Sequence, residues 1–193
     1  MTNTQTTGYK FLSLILITLM LIFSIIFFAS CNNNKGKTAF SPESELYTFY
    51  FDENWRKFDI ESPFQLLMSD TELSNMVIID CYFKSNLSEQ GISDLDAYID
   101  VYTQSDIQGI YEGNQADVLE SFKADSPILN GKRQKVYIKA HEYNPDDSIS
   151  EIIHFETKDF YFTIAYSNIT SKFEAAQKKI DEALKTLKIN YKK

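Results

Sequence analysis

Two histidines and three glutamates are the residues of this sequence that could combine to bind a metal ion. His141 and His154 fall on neighbouring predicted strands, and Glu142, Glu151 and Glu156 lie close to them in the chain. Imidazole and carboxylate groups are ligands of zinc and related ions. Their spacing matches no established ligand pattern, and His154 lies inside an apolar run. We therefore expect a histidine buried in a sheet and no metal or other cofactor; a metal site across the hairpin is the alternative.

Cys81 is the residue with the greatest potential as a nucleophile. It lies in the apolar run 76–83, and neither histidine forms a recognisable local signature with it. A lone cysteine in such a run is typically a small buried hydrophobe. The sequence also lacks a phosphate-binding glycine loop, a nucleophile elbow and paired zinc histidines. These observations predict no catalytic residues and a protein that is not an enzyme.

The charge of the chain bears on its partners. Its 27 acidic and 19 basic residues give a formal net charge of −8. A chain this acidic repels phosphate backbones, so we predict no nucleic-acid partner. Asp94, Asp96 and Asp100 form one acidic face of a predicted helix. We interpret that face as solvated surface, with contact to a basic partner as the alternative.

The first 30 residues have the organisation of a membrane-targeting segment. Lys10 is their only charged residue, and it precedes an apolar run at residues 11–28. A cationic start, an apolar stretch and small residues at the boundary are typical of a secretory signal. The run is also about 18 residues long, which is just enough for a helix to cross a bilayer. An uncleaved membrane helix is therefore the alternative.

The segment Phe28-Ala29-Ser30-Cys31 resembles the bacterial lipobox, in which an apolar residue and two small ones precede a modified cysteine. The resemblance implies that Cys31 receives a diacylglycerol group and that signal peptidase II cuts between Ser30 and Cys31. At about 0.8 kcal/mol per buried methylene, two or more acyl chains make the anchoring effectively permanent.

The residues after Cys31 support lipid anchoring. Residues 32–38 are polar and suit a flexible tether. By analogy with lipoprotein sorting, Asn32 implies the outer membrane of a Gram-negative bacterium. We accordingly predict a signal peptide at 1–30, a lipidated cysteine and tether at 31–44, and a single domain at 45–190.

The domain has enough apolar and aromatic residues, 44% and 15% of the chain, to bury a core. Runs of β-branched and aromatic residues predict strands at 47–51, 76–83, 149–156 and 160–167, and alternation predicts another at 135–141. A short second strand is predicted through Trp55, Phe58 and Ile60, and it must end or lie at an edge at Pro63. The strand at 160–167 places its aromatic residues mainly on one face.

Two helices are predicted beside these strands. Ser93 and Asp94 offer a cap, and the apolar residues from Leu95 to Tyr102 fall at helical spacing. A second helix begins at Thr170 or Ser171, and it carries an apolar stripe that must lie across a sheet.

The order of these elements resembles the PsbP-like fold. The resemblance rests on Phe58-Asp59-Ile60-Glu61-Ser62-Pro63 after Trp55, on Ile128-Leu129-Asn130-Gly131 before the strand at Val136, and on the closing run from Phe155 to Leu187. The group includes the extrinsic PsbP subunit of photosystem II, a yeast Ran-binding import factor and envelope lipoproteins of the DcrB type. It implies an α+β fold, with a twisted antiparallel sheet and helices on both sides (an α/β/α sandwich).

The same resemblance implies binding or assembly work and offers no shared catalytic residues. Our leading hypothesis is a membrane-anchored envelope lipoprotein that binds another envelope protein or supports an assembly. The alternative is a carrier that holds a small molecule or lipid between sheet and helix. The high aromatic content favours a filled core and so favours the first hypothesis.

Overall fold

The structure, a computed structural model, describes residues 36–72, 75–102, 116–119, 123–124, 131–140 and 145–191. The chain divides into two units, Met1–Lys37 and Thr38–Lys193. The second unit contains the main sheet and the helices of the described residues.

The strands of the described residues form two sheets. Their bounds are β1 (Lys37–Phe40), β2 (Tyr47–Asp52), β3 (Trp55–Phe58), β4 (Leu66–Asp70), β5 (Asn75–Phe83), β6 (Ala116–Val118), β7 (Lys123–Ala124), β8 (Lys132–Ile138), β9 (Ser148–Glu156), β10 (Phe160–Ile169) and β11 (Lys188–Ile189). Eight of them form the main sheet in the order β3-β4-β5-β10-β9-β8-β6, with β7 also paired to β8. The small sheet has the order β1-β2-β11.

Three helices are present in the described residues: α1 (Lys84–Ser88), α2 (Leu95–Tyr102) and α3 (Thr170–Leu184). The predicted cap of α2 is confirmed, because Asp94 Oδ1 accepts a hydrogen bond from the amide of Ala97 at 2.9 Å. In the part of the chain that the structure describes, no helix is both long and apolar enough to span a membrane.

The main sheet is antiparallel wherever its pairing is described. Two sets of consecutive hairpins, β3-β4-β5 and β8-β9-β10, meet where β5 pairs with β10. The α+β class and the antiparallel sheet that the sequence predicts are therefore observed.

The larger hydrophobic core lies on one face of the main sheet. Phe160, Phe162 and Ile164 alternate along β10 with their side chains on this face, together with Phe173 and Ile180 of α3. Aromatic residues of β2 join the same cluster. The helix thus covers the sheet with the apolar stripe that its sequence predicts.

The opposite face of β10 carries Tyr161 and Thr163, and it contacts α2. Tyr161 packs in a second cluster with Leu95, Tyr98 and Ile99. The rings of Tyr98 and Tyr161 are stacked with centroids 4.9 Å apart. Tyr161 is consequently buried in the domain.

Six short elements are absent from the sequence-based expectations: β1, β4, β6, β7, β11 and α1. The β4 segment, Leu66-Leu67-Met68-Ser69-Asp70, has no β-branched residue and so little intrinsic strand preference. It forms because it pairs on both sides, with β3 and β5. The β1 strand lies within residues 31–44, which the sequence analysis assigned to a tether.

Gly131 allows a close approach between the start of β8 and β9. A Cβ atom at this position would lie 2.8 Å from the carbonyl oxygen of His154 and 3.0 Å from Cβ of Phe155. Only glycine fits so near another backbone. The glycine of the Asn130-Gly131 pair is thus explained by packing; Asn130 itself lies outside the described residues.

Candidate interaction surface

The residues predicted to carry the lipid chemistry, Ser30 and Cys31, lie outside the described residues. The same is true of His141 and Glu142. The other members of the hypothetical metal set, Glu151, His154 and Glu156, all lie on β9.

His154 is a buried histidine of β9, as the sequence analysis favours. Its Nδ1 lies 2.9 Å from Oγ1 of Thr163, and the hydroxyl of Tyr98 lies 2.6 Å from the same oxygen. The ring of Tyr102 meets the imidazole edge-on, with centroids 4.8 Å apart. Burial lowers the pKa of His154 from 6.5 to about 3, so the imidazole is neutral in the folded protein.

The glutamates of the hypothetical metal site are separated from His154. Glu151 lies three residues before it on β9, and strand alternation therefore places the two side chains on opposite faces of the sheet. Glu156 is on the face of His154 but forms an ion pair with Lys84 at 2.7 Å. Among the residues that the structure describes, no group of three or more His, Cys, Asp or Glu residues is placed to hold a metal.

Glu151 belongs to a polar network under α3. Its carboxylate accepts a hydrogen bond from the hydroxyl of Tyr166 and another, at 3.1 Å, from the amide of Gln177. Arg133 lies 3.5 Å from Glu151 and 2.9 Å from Asp181. Burial raises the pKa of Glu151, and the hydrogen bond from Tyr166 and the positive charge of Arg133 offset part of that effect. The network joins α3 to the sheet, and its hydrogen bonds and ion pairs have a structural role.

A second polar group joins the other side of α3 to the sheet. The ammonium of Lys179 lies 2.9 Å from the carboxylate of Asp70, a buried residue of β4, and 3.0 Å from that of Glu72. Asp52 completes the group at 3.7 Å. The helix is thus held by charged pairs on both flanks of its apolar stripe.

Cys81 is buried on the core face of β5. Burial, with a smaller contribution from Asp80, raises the pKa of its thiol from 9.0 to about 12. Since the thiolate is the nucleophilic form, this environment fits the predicted packing role.

The arrangement most suited to binding is an apolar surface on β3, β4 and β5. Strand alternation puts Phe58, Leu67, Met76, Ile78 and Tyr82 on the sheet face that α2 covers farther along, at β9 and β10. Phe58 is 46% exposed, Met76 52% and Tyr82 46%, while Leu67 and Ile78 are partly exposed. We call these five residues the β3–β5 surface.

The register places the members of this surface side by side. Phe58 pairs with Leu67, Leu67 with Ile78, and Ile78 with Ala165 of β10, which gives a continuous apolar row across four strands. One row away, Ser69 separates Arg56 from Met76. A contiguous apolar patch on a solvent-exposed face is characteristic of an interaction site.

A cleft adjoins one end of the β3–β5 surface. It has a volume of about 310 Å³ and is lined by Glu43, Lys57, Asp59, Ile60, Ser62 and Gln65. The amide of Gln65 donates a hydrogen bond to Asp80 of β5 at 2.6 Å, which links the cleft to the sheet face.

Sequence reasoning did not find the β3–β5 surface. Its members come from three strands, one of which was not predicted, and their adjacency depends on register. The usable signal was that three of the four outward positions in β5, Met76, Ile78 and Tyr82, are apolar or aromatic where a solvated strand would carry polar residues; the fourth is Asp80.

No protein-family model and no curated protein sequence matches the chain. Solved structures do share its fold. Cyanobacterial PsbP from Synechocystis has a TM-score of 0.52 at 12% identity, over 80% of this chain and 92% of that one. The Saccharomyces cerevisiae Ran-binding protein Mog1p has a TM-score of 0.50 at 12% identity, over 79% of this chain and 95% of that one. The predicted likeness to the PsbP fold is thereby confirmed, and it concerns the fold alone.

A structure from Bacteroides thetaiotaomicron also matches, with a TM-score of 0.49 at 13% identity. The match covers 81% of this chain, and this chain spans 50% of the length of that protein.

Proposed function

We propose that the protein is a non-enzymatic protein-binding or assembly-support module of the cell envelope, anchored by lipid on Cys31. The β3–β5 surface is the observation that carries the proposal. It presents Phe58, Met76 and Tyr82 to solvent on a rigid sheet, and burial of such side chains against a partner is the main favourable term in protein association.

The described titratable groups support a binding role over catalysis. His154 and Glu151 are bonded within the domain, and Cys81 is held as a thiol. Each has a structural function that accounts for its position. A catalytic group, by contrast, needs access to a substrate.

Anchoring by lipid is supported by the sequence Ala29-Ser30-Cys31 and the polar residues that follow it. We place the protein in the outer membrane of a Gram-negative bacterium, with the signal peptide removed before Cys31. The rival arrangement keeps residues 11–28 as a membrane helix.

We also infer that the complete domain is an α/β/α sandwich. The contacts of Phe173 with one face of the sheet and of Tyr98 with Tyr161 on the other support this architecture. It leaves part of the α2 face, at β3–β5, open for a partner.

The carrier alternative has one observation in its favour, the cleft of about 310 Å³. None of its lining residues belongs to a helix, so it is not the space between sheet and helix that the carrier function requires. The space between sheet and α3 contains packed aromatic rings, with Phe155 and Phe162 stacked 4.8 Å apart. The protein-binding function therefore remains our conclusion.

The test is a crosslinking pull-down of the lipidated protein from native membranes, with Cys31→Ala as the control. We expect one envelope protein in near-equal amount, and loss of labelled palmitate in the control. Recovery of a bound small molecule without a protein partner would replace our conclusion with the carrier function. Palmitate incorporation by Cys31→Ala would contradict the lipid anchor.

A further inference from the structure

We propose that the β3–β5 surface binds an amphipathic helix of a partner protein, with basic residues toward the end of the surface marked by Tyr82. This inference rests on the proposed protein-binding function and specifies the partner's chemistry. It follows from the dimensions of the surface, from its apolar row and from the charges at its two ends.

The dimensions of the surface match one helix. Strands lie about 4.8 Å apart, so the axes of β3 and β5 are separated by roughly 10 Å, close to the diameter of a helix with its side chains. From Met76 to Tyr82 the strand extends about 20 Å, the length of a helix of roughly 13 residues. The neighbouring half of the same face already accommodates α2.

The apolar row provides the contacts that an amphipathic helix requires. Phe58, Leu67 and Ile78 run across the strands; along β5, Met76 lies next to that row on one side, and Tyr82 lies on the other side beyond Asp80. Val101, which is 49% exposed, follows Tyr98 by three positions and so lies on the flank of α2 nearest Tyr82. Apolar residues at helical spacing in the partner would cover this set.

The charges at the two ends of the surface determine how the partner helix is oriented on it. Asp59 and Glu61 are exposed just beyond the end of β3, and Gln65 connects Asp59's cleft to Asp80. This end is therefore acidic. The other end of the surface carries Arg56. A basic residue of the partner is best placed near the acidic end, where opposite charges favour association and register.

The same charges disfavour two other occupants. A second copy of this chain carries the same net charge of −8 and brings like charges together. Anionic lipid headgroups are repelled for the same reason. Both remain as outcomes that the experiment distinguishes.

The experiment places a photoreactive phenylalanine analogue at Phe58 or Met76 of the full chain in native membranes, and at Val118 as the control. Met76 and Val118 are both 52% exposed, and Val118 lies on β6, at the far end of the strand order from β3. We expect the probes at Phe58 and Met76, and not at Val118, to crosslink to a helical segment rich in Lys and Arg in another protein.

A charge-reversal pair tests the predicted orientation. Asp59→Lys combined with Glu61→Lys should lower the crosslinking yield at Met76 by about tenfold, whereas Glu174→Lys, at an exposed position of α3, should leave it unchanged. These positions are exposed, so the fold is retained; thermal unfolding of each variant verifies this.

Crosslinks to a second copy, to lipid, or to an acidic or extended segment would overturn the inference. Capture of a partner at Val118 alone would overturn it and leave the proposed function intact. If no position captures a protein, both proposals fail.

Discussion

The hydroxyl of Tyr98 on α2 lies 2.6 Å from the hydroxyl of Thr163 on β10, in a buried position. Thr163 also contacts Nδ1 of His154, so a single threonine oxygen connects the helix and two strands. This contact lies among the aromatic rings that pack between α2 and the sheet.

We predict that Tyr98→Phe lowers the free energy of unfolding by about 1 kcal/mol, because one buried hydrogen bond is lost while the stacking is retained. Thr163→Val should cost more, because it also removes the contact with His154. The measurement is urea unfolding of the full chain in detergent for both single variants and the double variant. A coupling energy near zero would contradict a direct Tyr98–Thr163 bond, and Tyr50→Phe, which loses only an exposed contact, is the control.

The low pKa of His154 predicts that the protein loses stability in mild acid. Burial lowers the pKa of His154 to about 3 in the folded state, below the ordinary value of 6.5 that it regains on unfolding. Its contribution is therefore complete above about pH 6.5 and is lost as the pH falls toward 3. Between pH 7.5 and pH 5 we expect a loss of about 2 kcal/mol that His154→Gln does not show.

The pH dependence that Glu151 gives to the free energy of unfolding is opposite in sign to that of His154. The wild type must therefore be compared with His154→Gln. Burial raises the pKa of Glu151, so its contribution is present at low pH and is lost as the pH rises through its folded pKa. The difference between wild type and His154→Gln cancels this effect, since Glu151 is on the other face of the sheet. Parallel pH profiles for the two proteins would contradict the assigned state of His154.

Lys179 should be the lysine of α3 whose removal is most costly. Lys179→Met removes the ammonium 2.9 Å from the buried carboxylate of Asp70 and should lower the free energy of unfolding by about 3 kcal/mol. The adjacent Lys178 is exposed, so Lys178→Met should change it by less than about 0.5 kcal/mol. Urea unfolding measures both, and equal effects would show that the Asp70 contact contributes little.

The sequence predicted those strands and helices whose apolar residues recur at strand or helix spacing. The alternation of Phe160, Phe162 and Ile164 and the helical stripe around Ile180 both follow from burial of one face, and both are observed. The helix cap at Asp94 was also predictable, because its hydrogen bond joins residues only three positions apart.

The candidate site was not predictable by the same reasoning. Phe58, Leu67 and Ile78 are neighbours only because β4 pairs between β3 and β5, and β4 has weak intrinsic strand preference. The sequence likewise grouped Glu151 with His154, because distance along the chain does not by itself show that residues three apart in a strand face opposite ways. Register and alternation are properties of the assembled sheet.

The reactivity of the Cys81 thiol provides a last prediction, because its rate of modification reports directly on whether the domain is folded. The chain has two cysteines, so Cys31→Ala leaves Cys81 as its only thiol. Since burial raises its pKa from 9.0 to about 12, the thiolate fraction at pH 8 falls roughly a thousandfold. We expect a thiol reagent to modify folded Cys31→Ala only as fast as the domain unfolds, and to modify it at once in denaturant. Rapid modification of the folded protein, at a rate proportional to reagent concentration, would contradict the buried position of Cys81 and reopen the question of a reactive thiol.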